Sequence, residues 1–288
     1  MENKKNKDIS FLLNSTKVRL IKSFSDIKEN EFNILMVNSD QTWNALFPRP
    51  ILYDIAFLKF AENWKIKKFI YGASLVFQDW KFSAKDEEIA KHLLQNFTGI
   101  SVRESNSVGL IEEHLGLKAQ FVLDPTFIIN KKYYFNLIKD YKSNIEKQIN
   151  NTNFVFVYIL NNFNIIKKYL EFVEKKSSLK IFYLNMFHNN QVLEFLYGII
   201  HGKAVITDSF HGTVFSIIFK KPFISFLKES NDNRINNLAE IFNVSDRIFF
   251  LNANPPISLL DQPLFINETK LMLLTRESIK YIKKNLNS

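Results

Sequence analysis

Short β-branched and aliphatic runs alternate along this chain with stretches whose apolar residues recur at helical spacing. Asn33–Val37, NILMV, predicts a buried strand that opens into the polar loop NSDQTWN. KKFIYGASL repeats the design, an apolar strand running into small residues. Asp86–Phe97 predicts a helix, and GISVRE predicts a strand ending at Arg103 and Glu104. Ser105–Gly116 predicts a helix with a Ser or Asn N-cap and Gly116 as its stop. AQFVLDPTF is a further strand, closed by Asp124 and Pro125.

Asn130–Thr152 is rich in Lys and Asn and predicts a linker. A second cycle follows: strand NFVFVYIL, helix NIIKKYLEFVEKKS, strand LKIFYLN, helix QVLEFLYGIIHGK, strand AVIT, loop DSFHG and helix TVFSIIFKK. Pro222 ends that helix, PFISFL predicts a strand, and DNRINNLAEIFN predicts a short helix capped by Asp232 or Asn233. Asn267–Leu286 predicts a long terminal helix, whereas the Lys-rich first thirty residues look helical only around Lys17–Ile27. Strand, helix, strand, helix is the α/β pattern, in two halves. Ligands of such sheets bind outside the carboxyl ends of the strands, where this chain carries Ser39-Asp40-Gln41, Ser74, Arg103 and Asp124.

The stretch AVITDSFHGTVFSIIF sets an acid, a hydroxyl, an imidazole and a glycine between two apolar runs. Asp208 or Ser209 caps the coming helix, whose first-turn N–H groups favour an anion. Gly212 permits close backbone approach, and His211 can donate to a phosphate or carboxylate, or move a proton. Capping alone also accounts for the two caps and leaves His211 an ordinary surface histidine. A serine-hydrolase elbow is excluded, because no glycine stands two residues before Ser209. Arg103 reads as an ion-pair partner of Glu104 or Asp124, or as a second cation that joins His211 in clamping an anion. In that role its replacement by Ala is expected to leave the fold intact.

Composition narrows the classes. The 288 residues are 46% hydrophobic and 23% charged, enough for one large or two medium domains. With no cysteine there is no disulfide, thiolate zinc site or cysteine nucleophile, which fits a reducing cytoplasm. No clustered His/Asp/Glu set suggests a metal. No apolar run spans a bilayer, and no signal peptide is visible. The formal charge of +9 comes from lysines spread along the chain, a solvated basic surface rather than a nucleic-acid stripe. Anionic small molecules and an inner membrane surface remain open as partners. Only six of the 38 basic residues are arginine, so each raises the question whether a planar, bidentate donor is required there. Three of them, Arg103, Arg234 and Arg247, lie in motif-like stretches.

Taken together, NSDQTWN, YGASL, ISVRESNSVGLI, VLDPTFII, VITDSFHGTVFSIIFKKPF and NDNRINNLAEIFNVSDRI resemble the polysaccharide pyruvyl transferases, in the family's order from Asn33 to Ile248. The resemblance implies a glycosyltransferase-B-like α/β fold of two Rossmann-like domains facing a cleft. It implies a domain over 1–140 on the acceptor side, a domain over 151–262 on the donor side, and a C-terminal helix, 263–288, packing back on the first. It implies pyruvyl transfer from phosphoenolpyruvate, with no other cofactor and no metal, to two hydroxyls of a sugar. The acceptor would be a cell-surface polysaccharide, capsular or lipopolysaccharide, or a lipid-linked precursor, met in the cytoplasm at the inner face of the membrane. The family's donor-binding histidine and arginine fall on His211 and Arg103, the catalytic pair, and Phe210 would offer a backbone contact. Ser209 and Gly212 complete the donor pocket, Arg234 either adds to it or ties down its own helix, and Asp40 and Gln41 face the acceptor. The family's glycine-rich opening turn has no counterpart before Gly72, which suggests either an abbreviated N-terminal domain or a truncated start, and Asn38 stands where relatives carry glycine. A nucleotide-sugar glycosyltransferase and a non-catalytic glycan- or partner-binding member are the alternatives on the same scaffold.

Overall fold

A computed structural model describes residues 21–149, 153–177, 179–184, 191–228 and 233–287, without the side chains of 147–149. In chain order the strands are β1 (Ile34–Asn38), β2 (Lys67–Tyr71), β3 (Ser101–Val102), β4 (Gln120–Phe121), β5 (Phe154–Tyr158), β6 (Lys180–Tyr183), β7 (Ala204–Thr207), β8 (Phe223–Leu227) and β9 (Ile248–Phe250). The longer helices are α1 (Ala84–Leu94), α2 (Ser107–Leu115), α3 (Lys131–Ile138), α4 (Phe163–Lys176), α5 (Gln191–His201), α6 (Phe210–Ile218), α7 (Asn233–Phe242) and α8 (Glu268–Asn287). They fall into two compact units. The first gathers Leu20–Ile128, Asn231–Asn237 and Asn267–Ser288, and the second Ile129–Ser230 and Leu238–Ile266.

In the first unit β1 pairs in parallel with β2, and β3 with β4. Parallel bridges at Phe69–Gly99 and Ala73–Val102 join β2 to β3. Between those bridges Gly72 turns to φ +62°, a conformation that disfavours any side chain. The gap in the ladder is closed by Ser101, whose hydroxyl accepts the Gly72 N–H at 2.9 Å and donates to the Ile70 carbonyl at 2.8 Å. Burial alternates with the pleat. Ile70 and Val37 join a core with Trp43, Leu93 and Ile111, on which α1 and α2 pack. Phe69 and Tyr71 face the opposite way, onto Val122 and Tyr281 of α8. The left-handed residue after β1 is Gln41 (φ 51°), not Asn38, which ends the strand.

The second unit is a five-stranded parallel sheet in the order β6-β5-β7-β8-β9. Val155 and Val157 of β5 meet Ile166, Tyr169, Leu170 and Val173 of α4 on one face. Phe156 meets Phe195 of α5 on the other face. Helices on both faces make the sheet doubly wound, and the order reverses between β5 and β7.

Over its described residues, Asn130–Thr152 is not the linker its polarity suggests. Within it α3 forms because Tyr134 and Ile138, one turn apart, are both buried, and the chain leaves the first unit at Ile128 rather than near residue 140. Lys17–Leu20 of the expected N-terminal helix lie outside the described residues, and the rest of that stretch holds only a turn at Phe24–Asp26. The alternative cap Asp232 also lies outside them.

Two buried phenols lie where α8 packs on the first sheet: Tyr281 of α8 donates to the Ile70 carbonyl, and Tyr71 of β2 to the Leu123 carbonyl beyond β4, each at 2.8 Å. Burial pushes both phenol pKa values well above the ordinary range. A raised acid pKa means the folded state resists ionisation. Their stabilising contribution is therefore complete below about pH 10, the ordinary tyrosine value, and is lost as pH climbs beyond it. Thermal melts across that range will show steeper alkaline destabilisation in the native chain than in Tyr71→Phe/Tyr281→Phe. The variant gives up about 1 kcal/mol per hydrogen bond at neutral pH.

Candidate functional site

In the second unit DSFHG leaves β7 at the sheet's reversal point. Asp208 does not cap α6. Its carboxylate accepts the Leu160 N–H at 2.6 Å, the Asn161 N–H at 3.2 Å and the Asn162 side-chain amide at 2.9 Å. It thereby ties the turn after β5 to the end of β7, the two edges of the crevice where doubly wound sheets bind ligands. Ser209 is the cap, accepting from the Gly212 N–H at 3.4 Å. Thr207 completes the turn: its hydroxyl donates to the Tyr158 carbonyl at 2.7 Å and accepts the Ser209 N–H at 3.0 Å. Gly212 lies so close that a Cβ would stand 2.2 Å from the Thr207 hydroxyl oxygen. His211, half-buried in the first turn, meets the Phe210 ring edge-on at 5.2 Å.

In the first unit the strand ends converge on Arg103, which is 4% exposed. Its guanidinium donates to Asp124 at 2.6 Å, to Asp40 at 2.7 Å and to Glu104 at 3.4 Å. Burial alone would lower the Arg103 pKa. The three carboxylates outweigh it and drive the pKa up, so the cation is firmly held. Glu104 goes the other way: burial raises its pKa, offset only in part by Arg103, the Ser74 hydroxyl at 2.7 Å and the charge of Arg234. Asn237 of α7 donates to the Arg103 carbonyl at 3.2 Å and accepts from the Ser105 N–H and hydroxyl at 3.0 and 2.7 Å. Gln41 accepts from the Asn44 amide at 3.0 Å. Sequence reasoning had no role for Glu104 as a hub or for Asn237. Glu104 could be suspected from its seat at a strand end beside Arg103, but Asn237 follows it by more than a hundred residues.

The other flagged arginines part company. Arg234 is half-buried near Glu104. Arg247 is structural: its guanidinium donates to the Leu259, Gln262 and Pro263 carbonyls at 2.9, 3.2 and 3.3 Å. Among the described residues no helix is long and apolar enough to cross a membrane.

The family model for polysaccharide pyruvyl transferase matches residues 2–229, which include both Arg103 and the DSFHG loop. The chain belongs to the polysaccharide pyruvyl transferase family. Membership makes it one of a family of transferases of polysaccharide biosynthesis, and implies a sugar acceptor. Arg234 and Arg247 fall outside the matched residues. No curated protein matches the sequence. Among solved structures, the chain is similar to a UDP-N-acetylglucosamine 2-epimerase from Neisseria meningitidis bound to UDP-GlcNAc, with TM-score 0.56 and 11% identity over 91% of this chain and 79% of that one. It is also similar to S. aureus MnaA solved with UDP, with TM-score 0.53 and 14% identity over 89% and 69% of the two chains. A putative UDP-N-acetylglucosamine 2-epimerase from Listeria monocytogenes gives TM-score 0.53 and 12% identity over 88% and 70%. At such identities the likeness is one of fold, which is glycosyltransferase-B-like.

The burial of Arg103 overturns the expectation that its removal spares the fold. Arg103→Ala takes from Asp124 and Glu104 the buried guanidinium they share and will lower stability by about 3–5 kcal/mol. Denaturant unfolding measures it, and adding Asp124→Asn should restore part of the loss. Gly212→Ala will cost about 1–3 kcal/mol by the same measurement, since its Cβ would overlap Thr207.

Proposed function

We propose that this family member transfers the pyruvyl group of phosphoenolpyruvate to two hydroxyls of one sugar, as a cyclic ketal, in a cell-surface polysaccharide or its lipid-linked precursor. The observation that carries the proposal is the family match over a histidine seated on a capped helix N-terminus at a sheet reversal point. That setting favours a phosphorylated donor.

The chemistry balances without an outside reagent. A proton adds to the methylene carbon of the enol, leaving an oxocarbenium-like centre at the carbon that bears the phosphate. One sugar hydroxyl adds there and phosphate departs with the C–O bond electrons. The second hydroxyl closes the ring, and of the two hydroxyl protons one replaces that delivered to carbon and the other protonates the departing phosphate. Such a path calls for a proton donor and for fixed positive charge near the anionic groups. His211 serves as the acid or as a phosphate ligand, supported by Ser209 and by the backbone of Phe210 and Gly212. Arg103 supplies a planar fork for a carboxylate or phosphate. Because its guanidinium already holds Asp40, whose side chain is half-exposed at 51%, an incoming anion would compete with Asp40 rather than with the buried Asp124. Asp40 and Gln41 then turn to the acceptor hydroxyls, and Arg234 adds positive charge near Glu104, beside Arg103.

Inorganic phosphate release from phosphoenolpyruvate that depends on a glycan acceptor is the expected result. His211→Ala should lower the rate by about 10²–10⁴-fold while its thermal midpoint stays near that of the native chain. Phosphoenolpyruvate should also raise the thermal midpoint of the native chain. Turnover of a nucleotide sugar instead, or full activity in His211→Ala, would overturn the proposal or the role of that residue.

A further inference from the structure

The stretch Ile129–Lys142, so polar in composition, carries a capped helix that shows most of its apolar side chains to water. Asn130 caps α3 by accepting the Lys132 N–H at 3.0 Å. Two side chains seat the helix. Tyr134 stands edge-on to Phe215 at 5.1 Å and to Phe219 at 6.0 Å, and Ile138 is buried one turn later. The remaining circumference is open: Tyr133 is 65% exposed, Phe135 43% and Leu137 41%. Lys131, Lys132, Lys139 and Lys142 are exposed among them. Exposed Lys220 extends the patch, next to Phe219, whose ring meets Phe135 at 5.5 Å. Against these lysines the stretch from 129 to 142 sets one carboxylate, Asp140.

Other surfaces with exposed apolar groups differ. On α4, Phe163, Ile165 and Phe172 are interleaved with Glu171 and Glu174, and Lys167 lies 4.0 Å from Glu171. On α8, Met272 and Leu273 are exposed, but Glu277 pairs with Lys280 at 3.7 Å. Of these three surfaces, α3 sets its aromatic rings among lysines with the fewest carboxylates on its own stretch, Asp140 alone, while Glu146 lies near Lys139.

We infer that the α3 face docks the protein on an anionic lipid surface. Tyrosine and phenylalanine favour the boundary between headgroups and acyl chains, and lysines extend their ammonium groups to lipid phosphates while their stems stay apolar. A cluster of this size is the kind that anionic membranes attract. A second copy of the chain fits the face poorly, because a two-fold contact would set lysine against lysine. The inference does not depend on the donor chemistry.

Flotation of the whole chain with phosphatidylglycerol vesicles and with phosphatidylcholine vesicles tests it, since vesicle binding reads no transfer. Binding to the former alone, weakened by salt, is expected. Lys131→Glu/Lys132→Glu/Lys139→Glu and, separately, Tyr133→Ser/Phe135→Ser/Leu137→Ser should each weaken binding about tenfold or more, with helix content by circular dichroism unchanged. Lys168→Glu/Lys175→Glu/Lys176→Glu on α4 alters net charge equally and should bind like the native chain. Absence of binding by the native chain, equal binding to both vesicles, an equal loss in the α4 variant, or unchanged binding in either α3 variant would overturn the inference. So would a change of oligomeric state in the serine variant, seen by light scattering, which would mark an interface between copies.

Discussion

The first unit is organised around one buried cation. A guanidinium withdrawn from water is tolerated only where carboxylates meet it with good geometry. Arg103 therefore dictates what stands at the ends of all four strands around it. Asp40 comes from the turn after β1, Ser74 holds Glu104 from the end of β2, Arg103 and Glu104 follow β3, and Asp124 follows β4. The break at Gly72 belongs to the same arrangement. Beyond it the backbone rejoins β3, with the Ala73 N–H on the Ser101 carbonyl at 2.8 Å and the Arg103 N–H on the Ala73 carbonyl at 3.1 Å, which brings Ser74 to Glu104. Burial that raises the Glu104 pKa while the carboxylates raise that of Arg103 leaves a cluster whose members answer to one another.

The second unit solves its corresponding problem with neutral groups. Thr207, Ser209 and Thr213 satisfy the turn from β7 into α6 with hydroxyls, Thr213 also meeting the Ser225 hydroxyl at 2.8 Å. The charged member, Asp208, is spent on backbone N–H groups of the neighbouring turn rather than on a cation. The helix N-terminus thus keeps its positive end, with His211 beside it, in the crevice that the sheet order creates.

Arginine and lysine divide the labour. Arg103 and Arg247 are buried and multiply bonded, and Arg49 donates to the Ala45 and Phe47 carbonyls while pairing with Asp86 at 2.8 Å. Each uses the planar fork that lysine lacks. Among the described residues the lysines lie mostly outside, interleaved with apolar side chains on α3, α4 and α8.

Local pattern was enough to read the alternating strands and helices, their two α/β halves and the polar groups at strand ends, because period-2 and period-3.6 burial leave their mark within a few residues. The family resemblance was equally legible, since its motifs are contiguous. Local pattern could not distinguish Asp208 from Ser209 as the cap, because either side chain can reach a first-turn N–H. It could not show that Asn130–Lys142 is seated on Phe215 and Phe219, or that Asn237 steadies Arg103, because those partners are remote in sequence. Nor could it reveal that Arg103 is sealed beneath three carboxylates, one of them more than sixty residues away and another about twenty. What the sequence by itself determined was the inventory of elements and of chemistry. The pairings among distant side chains were decided by the tertiary structure, because burial makes an unpaired charge too costly and only the packed fold determines which partner is within reach.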